Sequence, residues 1–402
     1  MAALNDIRII DITRAMAGPY CTMILGDFGA DIIKVERPGS GDESRGWGPP
    51  FVGEASGPYP GQSAYFLSAN RNKRSLTLNL KDPQGQEIIR NLVKVSDVLI
   101  ENFRTGALDQ MGLGFDALRA ENPGLVYCSI SGYGRTGPQK DKPGYDAIIQ
   151  AEGGMMGITG PSEGPPSRVG VPIIDITAGM FAASAILAAL HERTASGQGQ
   201  HVDVSLLDTQ TALLANVAAN YLISGDPPRR QGNAHPNIAP YEPFQARDKG
   251  FVLGAANQGQ WIKLCDLLGA PDLKTDPRFE NNQLRVEHRQ ELIQVLNGIF
   301  ADKDAAEWLA LLEGAGLPCG PINTVPEVFQ HPQVQARDMI QEVDHSSAGR
   351  VSLTGLPYKL SRTPPELRSA PPCLGEHNRE ILGDLLGCSD QEMDSLQEQG
   401  VI

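Results

Sequence analysis

The sequence predicts an α/β protein with a parallel sheet in a large domain and a second, smaller α/β domain. Three observations carry this. Short β-branched runs alternate with helical segments over the first half of the chain, composition shifts near Ser224, and a second cluster of amphipathic helices follows.

The segment "IRIIDI" is apolar and β-branched, which makes it a strand, and "GPYCTMILGDFGA" is helical with Pro19 suited to a first turn. "DIIKVE" is a second strand, so the opening is a βαβ unit and favours a parallel sheet of Rossmann type. The pattern repeats as strand "RSLTLNL", helix "DPQGQEIIRNLVKVS", strand "DVLIENF", a helix from Gly114 to Glu121, and strand "LVYCSISGYG". "PIIDI" is expected as a further strand feeding the helix "TAGMFAASAILAALHERTASG", which Gly197 stops. "SGDPPRRQGNAHPNIAPYEPF" is rich in Gly, Pro and Asn and is expected as a linker. Beyond it come strand "GFVLGAAN" and helices "QWIKLCDLLGA", "VEHRQELIQVLNGIF" and "AAEWLALLEGAG". The expected division is therefore a large domain of 1–223 with 321–402, a linker at 224–240, and a small domain at 241–320. The Pro-rich tail and its terminal helix are expected to pack back on the large domain.

At 402 residues the chain is long enough for two domains, and its net charge of −14 argues against nucleic acid or an anionic membrane as a general partner. The six cysteines are scattered, without CxxC or Cys/His ligand spacing, so a reduced cytoplasmic protein with no metal is expected. The N-terminal "MAALNDIRIIDITR" has charges where a signal peptide needs an apolar core, and the apolar run Ala178 to Leu190 is too short to span a bilayer. Walker A, HExxH, GxSxG and EF-hand patterns are missing, and the "GAGLPCG" at Gly314 ends a helix where a dinucleotide loop would open one.

Two features point towards chemistry. "SANRNKRS" places Arg71, Lys73 and Arg74 together, and Arg14, Lys34, Arg37 and Arg104 fall near the ends of neighbouring strands. Such cations suit the phosphates of a nucleotide at the carboxyl edge of a sheet, or they form ordinary ion pairs on a solvated loop. Asp175 stands between an apolar run and a long helix. It reads as a helix N-cap, whose dipole would hold the carboxylate ionised and nucleophilic, with Ala178 and Gly179 leaving room for a substrate.

The motifs "ITRAMAGPY", "GADIIKVERPGSGD", "NRNKRSLTLNLKDPQG", "ENFRTGALDQMGLG", "YCSISGYGRTGP", "GYDAIIQAEGGMMGITG", "DITAG" and "APPCLGEHNREIL" together resemble the class III CoA-transferase family, from about Arg8 to Leu386. Within it, "WGPPFVG", "AANYLI", "GNAHPNIAPY" and "LRVEHRQELI" are most similar to the succinyl-CoA:glutarate branch. The resemblance implies that Asp175 is the nucleophile, that the reaction passes through an aspartyl anhydride and an aspartyl-CoA thioester, and that CoA thioesters are substrates with no tightly bound cofactor, ATP or metal. It implies that CoA contacts Arg14, Ala15, Met16, Ala17, Arg37, Asn72, Lys73, Arg74, Asn102, Phe103, Arg104 and Tyr145. Oxyanion donors are implied in the loop "GAANQGQ", with Asn257, Gln258 and Gly259 touching substrate. Met16 and Gln110 depart from the formyl-CoA branch and disfavour a formate and oxalate pair.

An interlocked homodimer is likewise implied by resemblance. A dicarboxylate acceptor needs a cation for its far carboxylate, and Arg168 and His235 are the candidates. The α-methylacyl-CoA racemases of the same superfamily are the alternative; they use a histidine where this chain has Tyr145, and tyrosine is a weak base near neutral pH. A scaffold that merely binds CoA would be expected to lack the nucleophile, and Asp175 is present. The expected activity moves CoA from a succinyl-CoA-type donor to a glutarate-like acid, with CoA transfer between another acid pair as a further alternative.

Overall fold

The computed structural model describes residues 2–55 and 57–402, which form two compact units. The first comprises the chain up to Gly153, Val169–Leu213 and Pro332–Ile402; the second comprises Gly154–Arg168 and Leu214–His331.

The first unit is built on six parallel strands: β1 (Arg8–Asp11), β2 (Asp31–Glu36), β3 (Lys73–Thr77), β4 (Val98–Glu101), β5 (Val126–Ser131) and β6 (His201–Ser205). Their order is β3-β2-β1-β4-β5-β6, the doubly wound arrangement in which strand order reverses between β1 and β4. Ile9 pairs with Ile32 on one side and Val98 on the other. Alternate residues serve opposite faces. Ile9, Ile32, Val98 and Val126 enter one core, and Ile10, Ile33, Leu99 and Tyr127 the other, which is why these strands read as unbroken apolar runs.

Helices α1 (Ala17–Asp27) and α4 (Ile173–Ser196) cover the first face through Cys21, Leu25, Ala178, Ala182 and Ile186. They cross so closely that a Cβ on Gly179 would lie 2.6 Å from the Ala17 carbonyl oxygen. On the opposite face lie α2 (Pro83–Lys94) and the returning tail, with Ile89, Leu92, Ile381 and Leu382 in one core. The short α3 (Asp146–Glu152) precedes the excursion into the second unit. By length and composition α4 could cross a membrane, yet its stripe of Ile174, Ala178, Ala182 and Ile186 is buried in the first unit's core.

"PIIDI" is not a strand. Ile173 opens α4, and Asp175 is its third residue instead of the N-cap, a position held by Pro172 without a side-chain hydrogen bond. The β-branched run favoured extended backbone locally, but a long-range cap described below supports a helix.

The second unit has a three-stranded antiparallel sheet, β7 (Tyr241–Gln245), β8 (Gly250–Gly254) and β9 (Cys319–Pro321), in the order β9-β8-β7. Helices α5 (Gln258–Leu267), α6 (Arg289–Phe300) and α7 (Ala305–Gly314) close a core of Phe244, Phe251, Trp261, Phe300 and Trp308. The 224–240 stretch lies in this unit, where Ala239 is fully buried and Arg289 donates to the carbonyls of His235 (2.6 Å) and Ile238 (2.9 Å). After His331 the chain rejoins the first unit with the hairpin β10 (Ile340–His345) and β11 (Gly349–Thr354), then α8 (Asn378–Leu386) and α9 (Asp390–Glu398).

Candidate active site

The reversal of strand order leaves a crevice beyond the carboxyl ends of β1 and β4, the place where open α/β sheets bind ligands. Two turns meet there. The Arg14 amide donates to Asn102 Oδ1 (3.0 Å), and Asn102 Nδ2 donates back to the Arg14 carbonyl (2.8 Å). Ala15 takes a left-handed φ of 67° and its amide donates to Asp42 Oδ1 (3.1 Å). Beneath the turn, fully buried Lys34 bridges Asp42 (2.9 Å) and the Thr13 carbonyl (3.1 Å).

A cavity of about 340 Å³ opens above these turns. Arg14, Ala15, Met16, Ala17, Asn102, Phe103, Arg104 and Tyr145 all line it, together with Asp175. An adjoining cavity of about 580 Å³ shares Arg14, Glu43 and Phe103 and adds Arg37. Its lining also includes Tyr59 and Leu78 to Lys81, which sequence reasoning did not single out. Glu43, Lys140 and Lys142 in the first cavity were likewise unanticipated. "QKDKPGYD", with two lysines just ahead of Tyr145, was the available signal for them.

Asp175 owes its setting to Asp146. One carboxylate oxygen of Asp146 accepts from the amides of Ile174 (2.8 Å) and Asp175 (3.4 Å), so α4 is capped by a side chain from a distant part of the sequence. The other oxygen accepts from Gln150 Nε2 (2.6 Å), and Gln150 Oε1 accepts from the Val169 amide (2.9 Å). Burial, followed by the negative charge of Asp146, pushes the Asp175 carboxyl up from 3.8 to about 7. The helix dipole was expected to keep this group fully ionised; desolvation overrides it. Tyr65, also unforeseen, has its phenol raised to about 12 by burial and then by the charges of Asp175 and Asp146, so it stays protonated at neutral pH.

The "NRNKR" residues are not brought to either cavity. Asn72 Nδ2 donates to Asp27 and to the Glu366 carbonyl, both at 2.8 Å. Lys73 is buried against Asp11 (3.2 Å), Asn70 Oδ1 and the Pro19 carbonyl (both 2.9 Å). Arg74 pairs with Asp31 and Glu380. These cations neutralise carboxylates within the first unit. Burial works against the Asp11 charge, but Lys73 and Lys34 outweigh it and hold the group down to about 2.

The remaining candidates, Arg168, His235, Asn257, Gln258 and Gly259, belong to the second unit. His235 stacks on Tyr241 (5.3 Å between centroids), and its Nδ1 accepts from the Asn237 amide (3.1 Å). Asn257 caps α5 by accepting from the Gln260 amide (2.9 Å). Among the described residues no group of His, Cys, Asp or Glu is arranged to hold a metal ion.

Residues 4–378 match the family described as CoA-transferase family III. The chain belongs to CoA-transferase family III. As a CoA-transferase it handles CoA thioesters and carboxylic acids, and curated relatives carry such activities in their names. It is 44% identical over 402 residues to the succinyl-CoA:glutarate CoA-transferase of Mus musculus, covering 100% of this chain and 91% of the relative. It is also 44% identical over 382 residues to the succinate–glutarate CoA-transferase of Agrobacterium fabrum, covering 95% of each. A crystal structure of a CAIB/BAIF family protein from Brucella suis superposes with a TM-score of 0.83 at 42% identity, covering 96% of this chain and 99% of that one.

Proposed function

We propose that this CoA-transferase moves CoA from succinyl-CoA, or a close analogue, to a glutarate-like dicarboxylic acid, with Asp175 as the nucleophile. The observation that carries the reading is the position of Asp175: a carboxyl at the start of α4, in the same cavity as the Arg14 to Ala17 turn, at the ligand-binding edge of the sheet. The acid pair is supported by the printed activities of the Mus musculus and Agrobacterium fabrum relatives.

The ionised Asp175 oxygen attacks the thioester carbonyl, and the tetrahedral oxyanion collapses to an aspartyl–acyl anhydride and CoA thiolate. The thiolate attacks the aspartyl carbonyl, giving an aspartyl-CoA thioester and the free donor acid. The acceptor carboxylate then runs these steps in reverse. Its attack on the aspartyl thioester expels CoA thiolate and forms a second anhydride, and the thiolate then attacks the acceptor's acyl carbon, releasing the new acyl-CoA and the Asp175 carboxylate. With its carboxyl near 7, Asp175 is in the reactive form for a large fraction of molecules at neutral pH. The protonated Tyr65 phenol suits stabilisation of an oxyanion. Arg14, Arg37 and Arg104 supply cations for the CoA phosphates.

An interlocked homodimer belongs to the same proposal. The exposed apolar side chains Ile148, Val171 and Phe181 of the first unit support cover by a second copy. The six free cysteines suit a reducing, cytoplasmic setting.

The deciding experiment incubates the protein with succinyl-CoA and a panel of carboxylic acids and detects new CoA thioesters by mass spectrometry, with Asp175→Ala alongside. Glutaryl-CoA from wild type alone is the expected result. Exchange that survives in Asp175→Ala removes the nucleophile, and a panel without exchange removes the succinyl donor.

A further inference from the structure

Arg14 stands where the two cavities of the first unit meet. It lines both of them, as do Glu43 and Phe103, and its guanidinium lies 5.4 Å from the centre of the Phe103 ring. Its Nη1 donates to Glu43 Oε1 at 2.5 Å, while its Nε is enclosed without a partner. The two side chains are 42% and 51% exposed, so the pair faces solvent at the junction.

The other cations of these cavities are placed differently. Arg37 and Lys81 in the larger cavity, and Arg104 and Lys140 in the smaller, form no ion pair among the described residues. Lys142 is held by Glu152 (2.8 Å), but that carboxylate lines neither cavity. Among the described residues Glu43 is the one carboxylate that lines both.

The pair is not needed to shape either turn. The Arg14 main chain is already bonded in both directions to Asn102. Glu43 opens the 3₁₀ turn Glu43–Gly46, which Asp42 caps by accepting from the Ser44 amide (2.9 Å) while it is itself fixed by buried Lys34. An ion pair this exposed adds little to stability. Its effect is to occupy the guanidinium, and to set a negative charge, at the place a ligand spanning both cavities must cross. A polyanion binds less tightly for it.

A CoA thioester that presents its acyl carbon to Asp175 in the smaller cavity and extends into the larger one carries its diphosphate between the two ends. We propose that Glu43 is an internal competitor for that diphosphate: it holds the Arg14 guanidinium in the free enzyme and yields it when CoA binds, which loosens the hold on CoA and favours its release. This rests on the reading that CoA lies across these two cavities. The guanidinium fork accepts carboxylate or phosphate through the same nitrogens, so one charge-assisted contact replaces another. The displaced carboxylate is at the surface and is hydrated there, so the exchange leaves no buried charge unpaired.

The test measures CoA binding by titration calorimetry at one ionic strength, using the full chain, Glu43→Gln, Arg14→Gln, the double variant and Arg37→Gln, with circular dichroism and thermal melts on each. Glu43→Gln is expected to bind CoA about two- to fivefold more tightly, the worth of an exposed pair. Dephospho-CoA, which keeps the diphosphate and lacks the 3′-phosphate, should show the same gain. Arg14→Gln should bind CoA about tenfold more weakly, and in that background Glu43→Gln should change Kd by less than about 1.5-fold. Unchanged or weaker binding by Glu43→Gln overturns the proposal. So does an equal gain in both backgrounds, which would make Glu43 a repelling charge and not a competitor for Arg14. A gain with CoA that vanishes with dephospho-CoA also overturns it, because the 3′-phosphate would then be the group at Arg14. Wild-type affinity in both Arg14→Gln and Arg37→Gln would overturn the placement of CoA itself, whereas weakened binding by these two without a gain in Glu43→Gln overturns only the competition.

Discussion

Replacing Asp175 by asparagine should stabilise the protein, and increasingly so as the pH rises. Burial and the Asp146 carboxylate raise the Asp175 carboxyl from 3.8 to about 7 in the folded chain. Between those values the folded state holds a proton that the unfolded chain has released, so stability falls as pH climbs through the interval. Each unit of difference is worth about 1.4 kcal/mol, so the full penalty, reached above the folded value, is about 4 kcal/mol. Roughly half of it is present at about pH 5.5, and the other half, about 2 kcal/mol, develops by about pH 8.5. Asparagine has the shape of the protonated acid and carries no charge at either pH. The stability gap between Asp175→Asn and wild type should therefore widen by about 2 kcal/mol over that range, measured as urea midpoints by circular dichroism at constant ionic strength. A gap that is constant, or that narrows with rising pH, would show that the carboxyl titrates in its ordinary range and that neither burial nor Asp146 governs it.

Asp146→Asn keeps an acceptor for the Ile174 amide but removes the charge beside Asp175. The pH profile of kcat/KM for thioester exchange, rising through about 7 in wild type, should shift its inflection downward yet stay above 3.8, because burial is the larger cause. Gly179→Ala would force a Cβ to within 2.6 Å of the Ala17 carbonyl, so α1 and α4 must separate at a cost of about 1–3 kcal/mol, read as a lower melting temperature. Lys73→Met leaves buried Asp11 without its neighbour and should destabilise by about 3–5 kcal/mol; adding Asp11→Asn should recover part of the loss, and a double variant as unstable as the single one would count against the pairing.

The sheet was legible because both of its faces are buried, so β1, β2 and β4 carry nearly continuous apolar sequence that periodicity detects. The start of α4 was not, because a β-branched run after Pro172 favours extended backbone and the interaction that overrides it comes from Asp146. The basic cluster shows a similar limit. Sequence displays Lys73 and Arg74 as neighbouring charges but not the carboxylates waiting for them on other strands. At the site, the family motifs carried Asp175 and the Arg14 to Ala17 turn, which share one cavity, and the motif holding Asp146 and Gln150, whose hydrogen bonds to each other and to α4 the sequence does not display, whereas Tyr65 stands in none of the quoted motifs.

The borrowed cap of α4 has a consequence for how the enzyme comes into being. An N-terminus closed by its own neighbouring serine or aspartate can form in an isolated peptide; this one needs the Asp146 and Gln150 side chains docked against it. Until that docking occurs, the first turn around Asp175 has no acceptor for its amides and frays. The reactive carboxyl therefore depends on a contact between segments on either side of the excursion into the second unit, since Asp146 precedes Gly154 and the chain returns at Val169. The same hydrogen bonds that shape the finished site thus tie the placement of Asp175 to the tertiary fold and not to the local sequence of α4.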